Sequence, residues 1–346
     1  MDDIPRQCCG RRRGHALKGL RTAAAVVLAL AALHSAAWLY AANRTGREVE
    51  AGLNRMREAG WIITTSVPYR SGWPWTASVL LEPLTVDGTD AGVPLAWSVN
   101  SVSIGVEAVH PATLRIVPQG GQRLKLGSGD WLPLTAKSLE LTADAEGVTL
   151  SGLLLSIGAP DGPVTMTGMH LKLAGLALRA DVNGLVCLPM PVPPADLSMD
   201  VLLTQAVPDA PTPAAAASAW RDQGGAAQIR RLTVVAGNLR ASGSGSARLD
   251  ASLQPALEVT AEVYGFRPVL DQMVKAGVLP ASAATAAKAV LGLLAGRGPE
   301  APAVVPVAFA DGVLAAAGFP LLRLPPMDWA ALPGRDARPR PGRPPD

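Results

Sequence analysis

The sequence predicts a mainly β fold of α+β class, a curved antiparallel meander with a few covering helices, preceded by one N-terminal transmembrane helix. Three observations predict it. Thr22 to Ala42 is a run of 21 residues without a formal charge, matching the about 20 helical residues that cross a hydrocarbon core of about 30 Å. Glycine (35) and proline (31) make nearly a fifth of the 346 residues, which interrupts the chain too often for long helices and suits short strands joined by tight turns. From Trp75 onward, apolar and polar residues alternate with the period of two that places successive side chains on opposite sheet faces.

The elements follow in order. Arg6, Arg11, Arg12, Arg13, Lys18 and Arg21 precede the apolar run. Basic residues resist translocation, so residues 1–21 are expected to be cytoplasmic, 22–42 to span the inner membrane once, and 43–329 to form a periplasmic β-rich domain. A cleavable signal peptide ending at Ser35-Ala36-Ala37 is the other reading of the segment, but Trp38 to Tyr40 prolong its apolar character. Asn43 to Ala59 carries Val49, Leu53 and Met56 on one helical face and stops at Gly60. Then comes the densest cluster of unusual residues: Trp61, followed by Ser71, Gly72, Trp73, Pro74 and Trp75.

Alternating runs follow at 77–81, 96–106, 114–117, 137–143, 148–157 and 164–178, the last with a bulge near Gly175. Asp87-Gly88, Glu146-Gly147, Asp161-Gly162 and Asn183-Gly184 read as turns between them. Pro189 to Pro194 breaks the sheet, and 196–207 reads as a strand. A short helix follows at 214–221, then strands at 226–235, 239–253 and 256–264. Helices are expected at 268–276 and 282–295, the second capped by Ser282. A hairpin through Asp311-Gly312 joins strands at 303–310 and 313–317, and a Pro/Arg-rich tail from 330 to 346 is expected to be disordered.

The formal charge of +3 is unevenly spread. Residues 1–21 hold six basic and two acidic groups, and the tail holds four Arg and two Asp, which leaves the intervening chain about −3. That balance, with 4% aromatic residues, recommends no nucleic-acid partner. Cys8 and Cys9 fall on the opposite side of the expected span from Cys187, which reads as a buried thiol outside any intrachain disulfide.

Residues 71–75, the strand after them and Glu82-Pro83-Leu84 resemble the opening of family DUF2125, uncharacterised membrane-anchored proteins of alphaproteobacteria. Residues 306–312, Gly318-Phe319-Pro320-Leu321 and Pro325-Pro326 resemble that family's closing pattern, and Ser246 to Gly277 is similar to the strand, strand, helix ending of AsmA-like proteins. The first resemblance implies no catalytic residues. The second implies a place in envelope lipid homeostasis.

Catalytic and metal chemistry is sparse. His15, His110 and His170 lack the partner spacing of a zinc site, and His34, alone within the apolar run with no ionisable partner there, is assigned no function. Gly243-Ser244-Gly245-Ser246 is neither a phosphate loop nor a nucleophile elbow. No metal and no cofactor is expected, and the chain reads as a non-enzyme. In the Trp cluster two readings stand side by side: indoles filling the end of the core around a rigid Pro74, or Trp61, Trp73 and Trp75 facing the membrane surface or a ligand mouth. For the whole protein the expectation is a lipid or other apolar ligand held against one sheet face; the alternative is a scaffold binding an envelope protein partner.

Overall fold

The computed structural model describes residues 13–329, apart from 91, 92, 108, 128, 160, 161, 188–192, 209, 211, 276, 278, 279, 296–300, 324, 325 and 328. The expectations for Cys8, Cys9, the 330–346 tail and most of the 189–194 break therefore lie outside the described residues.

The apolar run and the helix expected after it form a single helix α1 (Arg13–Glu58) of 46 residues. At 1.5 Å per residue it is about 70 Å long, more than twice a hydrocarbon core. From Ala24 on, it is long and apolar enough to cross a membrane, and its apolar window is unburied. From His34 on, the helix lies against a sheet.

That sheet is the mainly β, antiparallel fold the sequence predicts. All eighteen described strands belong to it. Three pairs of short strands act as interrupted long ones: β1 (Ile62–Thr65) with β2 (Tyr69–Ser71), β3 (Thr76–Leu81) with β4 (Leu84–Asp90), and β7 (Leu132–Thr135) with β8 (Ser138–Asp144). β3 and β4 keep one register against β5 (Val93–Glu107), since Leu81 faces Val102 and Leu84 faces Val99. β1 and β2 line the far side of β4 and β3. β7 and β8 together separate β6 (His110–Leu126) from β9 (Gly147–Ile157). Thereafter β10 (Val164–Ala174), β11 (Ala177–Cys187), β12 (Ala195–Leu203), β13 (Ala226–Ala236), β14 (Leu239–Leu249), β15 (Pro255–Tyr264), β16 (Ala303–Ala310), β17 (Val313–Ala316) and β18 (Phe319–Arg323) each pair with the next. The result is an uninterrupted up-and-down meander.

Several turns differ from expectation. Gly175 lies in the β10–β11 hairpin, while Gly184 sits inside β11 where the register against β12 shifts, so turn and bulge are exchanged. Both glycines have the same left-handed φ, 57° and 59°. The backbone conformation is the same at the two, and the neighbouring strands choose between turn and bulge. Asp87-Gly88 is not a hairpin but lies within β4, and the strand expected to run to residue 207 ends at Leu203.

Helices cover the sheet at its two ends. Val49 and Leu53 of α1 pack on Val79, Leu81, Leu84, Val99 and Val102. Ala42 and Thr45 are buried where the helix meets the sheet, and a Cβ at Gly46 would make an ordinary van der Waals contact with Val79 Cγ2 at 3.6 Å. At the other end α3 (Phe266–Lys275) and α4 (Ala281–Leu294) supply Phe266, Leu270 and Leu291 to a cluster with Ala303 and Val305. Pro280, not Ser282, occupies the cap position of α4, because the helix begins at Ala281.

The short helix α2 (Pro213–Asp222) is capped by Thr212, whose Oγ1 accepts from Ala215 N at 3.1 Å. Trp220 Nε1 in turn donates to Gln205 O at 3.1 Å, tying α2 to the chain beyond β12. Thr212→Ala is expected to cost about 1 kcal/mol of local stability, read as faster amide exchange over the first turn of α2.

Candidate functional site

The register joins the alternating strands into rows, and on one face those rows are apolar throughout. One runs Ala77, Val106, Leu114, Ala143, Val148, Leu173, Leu178, Val201, Ile229, Gly245, Val259, Val307 and Ala316, each directly opposite the next. A second links Ile116, Leu141, Leu150, Leu171, Ala180, Met199 and Leu232. A third links Leu139, Gly152, Met169, Val182, Leu197 and Val234. Interstrand spacing of about 4.8 Å makes the first row about 58 Å along the sheet.

The opposite face is polar. Its central row reads Arg115, Thr142, Thr149, Lys172, Arg179, Asp200 and Arg231. Arg115 lies between Glu140 and Glu107; hydrogen bonding to Glu140, and secondarily to Glu107, pushes its already high pKa further up. Lys172 pairs with Glu146 at 3.0 Å and Arg179 with Asp200 at 3.3 Å. Exposed pairs of this kind contribute only about 0 to 1 kcal/mol each. Their effect is to keep this face wetted.

The apolar face differs along its length. At the ends it is covered by α1 and by α3 and α4, whereas Leu141, Leu150, Leu171, Met199 and Leu232 in the middle are only half-buried. Leu114, Val148 and Leu173 are 36%, 40% and 50% exposed. A curl toward this face is built into β14. A Cβ on Gly243 would lie 2.7 Å from Thr260 O, and one on Gly245 2.0 Å from Glu258 O, so β15 sits where a side chain would otherwise project.

The tryptophan cluster divides in two. Trp61 is half-buried and lies over Gly88, where a Cβ would come within 2.5 Å of the indole. This is why Asp87-Gly88 belongs to a strand: the glycine receives a ring. Trp73 and Trp75 are 61% and 77% exposed and fill no core. Ser71 ends β2, and its carbonyl accepts from Ser78 Oγ at 2.8 Å. Gly72 adopts φ +92°, and its carbonyl accepts from Thr76 N at 2.9 Å and Thr76 Oγ1 at 3.0 Å.

Two further bonds tie this turn to α1. His34 Nε2 donates to Pro74 O at 2.9 Å, and Trp38 Nε1 donates to Thr76 O at 2.6 Å. The partner of His34, 40 residues away, could not be read from its own segment.

The other histidines are dispersed. His170 Nδ1 meets Ser151 Oγ at 3.0 Å, and His110 lies 3.7 Å from Glu107. Among the described residues there is no group of three or more His, Cys, Asp or Glu that could hold a metal ion. Cys187 is half-buried at the end of β11 rather than enclosed.

Residues 38–325 match the family described as uncharacterized protein conserved in bacteria, DUF2125. The chain belongs to that family. The match takes in Trp38, the whole tryptophan cluster and the sheet from β1 to β18. No curated protein and no solved structure matches the chain.

Proposed function

We propose that this member of DUF2125 is a non-enzymatic, inner-membrane-anchored periplasmic protein that holds the acyl chains of a phospholipid against the middle of its apolar sheet face. The observation that carries this reading is the set of three apolar rows, most of whose side chains from β8 to β12 are half-buried or exposed, on a sheet whose other face is charged. Apolar area left in water costs about 25 cal/mol per Å², so a surface of this extent favours an apolar occupant.

Lipid is the occupant favoured because the same chain carries a helix of membrane-crossing length that packs on one end of that face. The dimensions agree. Half of a hydrocarbon core is about 15 Å, which corresponds to about three interstrand steps, and the half-buried region is wider than that. The AsmA-like resemblance of 246–277 points the same way, by analogy only.

The test uses neighbours on opposite faces. A photo-cross-linking residue at Leu171 in the full chain, irradiated in bacterial membranes, is expected to yield a phospholipid adduct, and the same residue at Lys172 to yield none. Equal adducts at both positions, or none at either, would overturn the reading. A protein adduct at Leu171 would instead support the envelope scaffold. Leu171→Asp should abolish lipid capture from a cross-linker at Met199, because a charge facing an acyl chain has neither water nor a counter-ion.

A further inference from the structure

We infer that Trp73 and Trp75 dock the sheet on the lipid–water interface of the leaflet from which α1 emerges. The turn that carries them is bonded to α1 at His34 and Trp38. Both residues lie inside the apolar run that begins at Thr22. At 1.5 Å per residue, His34 stands about 20 Å and Trp38 about 26 Å above Arg21, the last charge before that run. A core of about 30 Å starting at Arg21 ends about 4 to 10 Å above these two residues. The turn is therefore held at the depth where amphipathic elements settle, about 5 to 10 Å into the boundary between headgroups and acyl chains.

The side chains suit that place. Two indoles on either side of Pro74 are exposed, and an indole favours the interface because its ring is apolar while its N–H wants a partner. Val109, in the β5–β6 hairpin, is 77% exposed at the same end of the sheet, since Thr76 faces Glu107. Tyr40 and Leu39 on α1 extend the exposed apolar surface on the helix itself.

The two hydrogen bonds acquire a further meaning there. In a region poor in water, an imidazole N–H and an indole N–H each need an internal acceptor, and the carbonyls of Pro74 and Thr76 supply it. Helix and turn are thus locked together where solvent competes least. The first apolar row begins at Ala77, two residues from Trp75, so docking sets one end of that row at the membrane surface. That last consequence bears on lipid capture; the docking itself does not depend on it.

The experiment places 5-fluorotryptophan in the full chain, held in nanodiscs of phosphatidylethanolamine and phosphatidylglycerol. Trp73→Phe and Trp75→Phe assign the two fluorine resonances, and both variants should fold because the positions are exposed. A lipid with a nitroxide near its headgroup is expected to broaden both resonances and to leave Trp220, at the far part of the sheet, sharp. His34→Ala together with Trp38→Phe should weaken that broadening. Resonances of Trp73 and Trp75 left sharp by the lipid nitroxide, and broadened instead by a water-soluble paramagnet, would overturn the inference. The outcome is independent of any adduct at Leu171, so docking and lipid capture can fail separately.

Discussion

Gly245→Val is expected to prevent the sheet from closing correctly between β14 and β15. The new Cβ would stand 2.0 Å from Glu258 O and 2.7 Å from Val259 Cα. Both are backbone atoms of a strand paired with β14 over ten residue pairs, so no side chain can swing aside. Overpacking that a core can absorb costs about 1 to 3 kcal/mol. Here the strand itself must move, and the loss should exceed that range. Chemical denaturation of the full chain in detergent would show a fall in midpoint, with rapid proteolysis between 236 and 310. Ser244→Val, one residue along and facing outward, should stay within about 0.5 kcal/mol of wild type. Equal midpoints for the two variants would show that the sheet does not curl at this glycine.

Leu81→Ala should be the most damaging truncation at the end of the sheet covered by α1. Leu81 is fully buried among Val79, Leu84, Val99 and Val102, beneath Val49 and Leu53 of α1. Truncating a buried leucine to Cβ costs about 2 to 5 kcal/mol, against less than about 1 kcal/mol expected for Leu153→Ala on an exposed position. The pattern of the loss is as informative as its size. The two buried clusters are separated by strands that carry few buried side chains, so opening at one end need not open the other. Amide exchange should accelerate in α1 beyond Ala42 and in β3 to β5, and stay unchanged around Phe266 and Val305. Uniform acceleration would mean that the sheet unfolds as one unit.

Most of the strands were legible because a sheet wet on one face imposes a period of two on any sequence that forms it. Ala247, Leu249 and their polar neighbours show this in β14, as do the runs that become β5, β8 and β9. Asp311-Gly312 was legible as a hairpin because a two-residue turn between alternating runs has few other solutions. β1, β2, β4, β7 and β11 were not: β1, β2 and β7 are three or four residues long, too short to establish a period, while the turn signals Asp87-Gly88 and Asn183-Gly184 fall inside β4 and β11. β18 went unread because its Phe-Pro-Leu-Leu-Arg does not alternate.

The candidate site was only partly readable. The sequence drew attention to Trp61 and to 71–75, but adjacent indoles carry no mark of burial. Trp61 meets the glycine of a strand that follows 27 residues later, whereas Trp73 and Trp75 meet nothing large enough to cover them. Likewise each strand announced an apolar side, yet thirteen such sides form a continuous row only if every register is right, since a slip of one residue turns a strand over.

Composition and periodicity by themselves determined the fold class and the helix long enough to cross a membrane, because each depends on residue type and local spacing. The tertiary structure alone decided that the apolar sides are joined across the sheet, that Gly175 turns while Gly184 bulges, and that His34 and Trp38 hold the turn carrying Trp73 and Trp75. These depend on pairings between residues 5 to 48 positions apart, and in such pairings the partner's position, rather than the residue's own chemistry, sets the outcome.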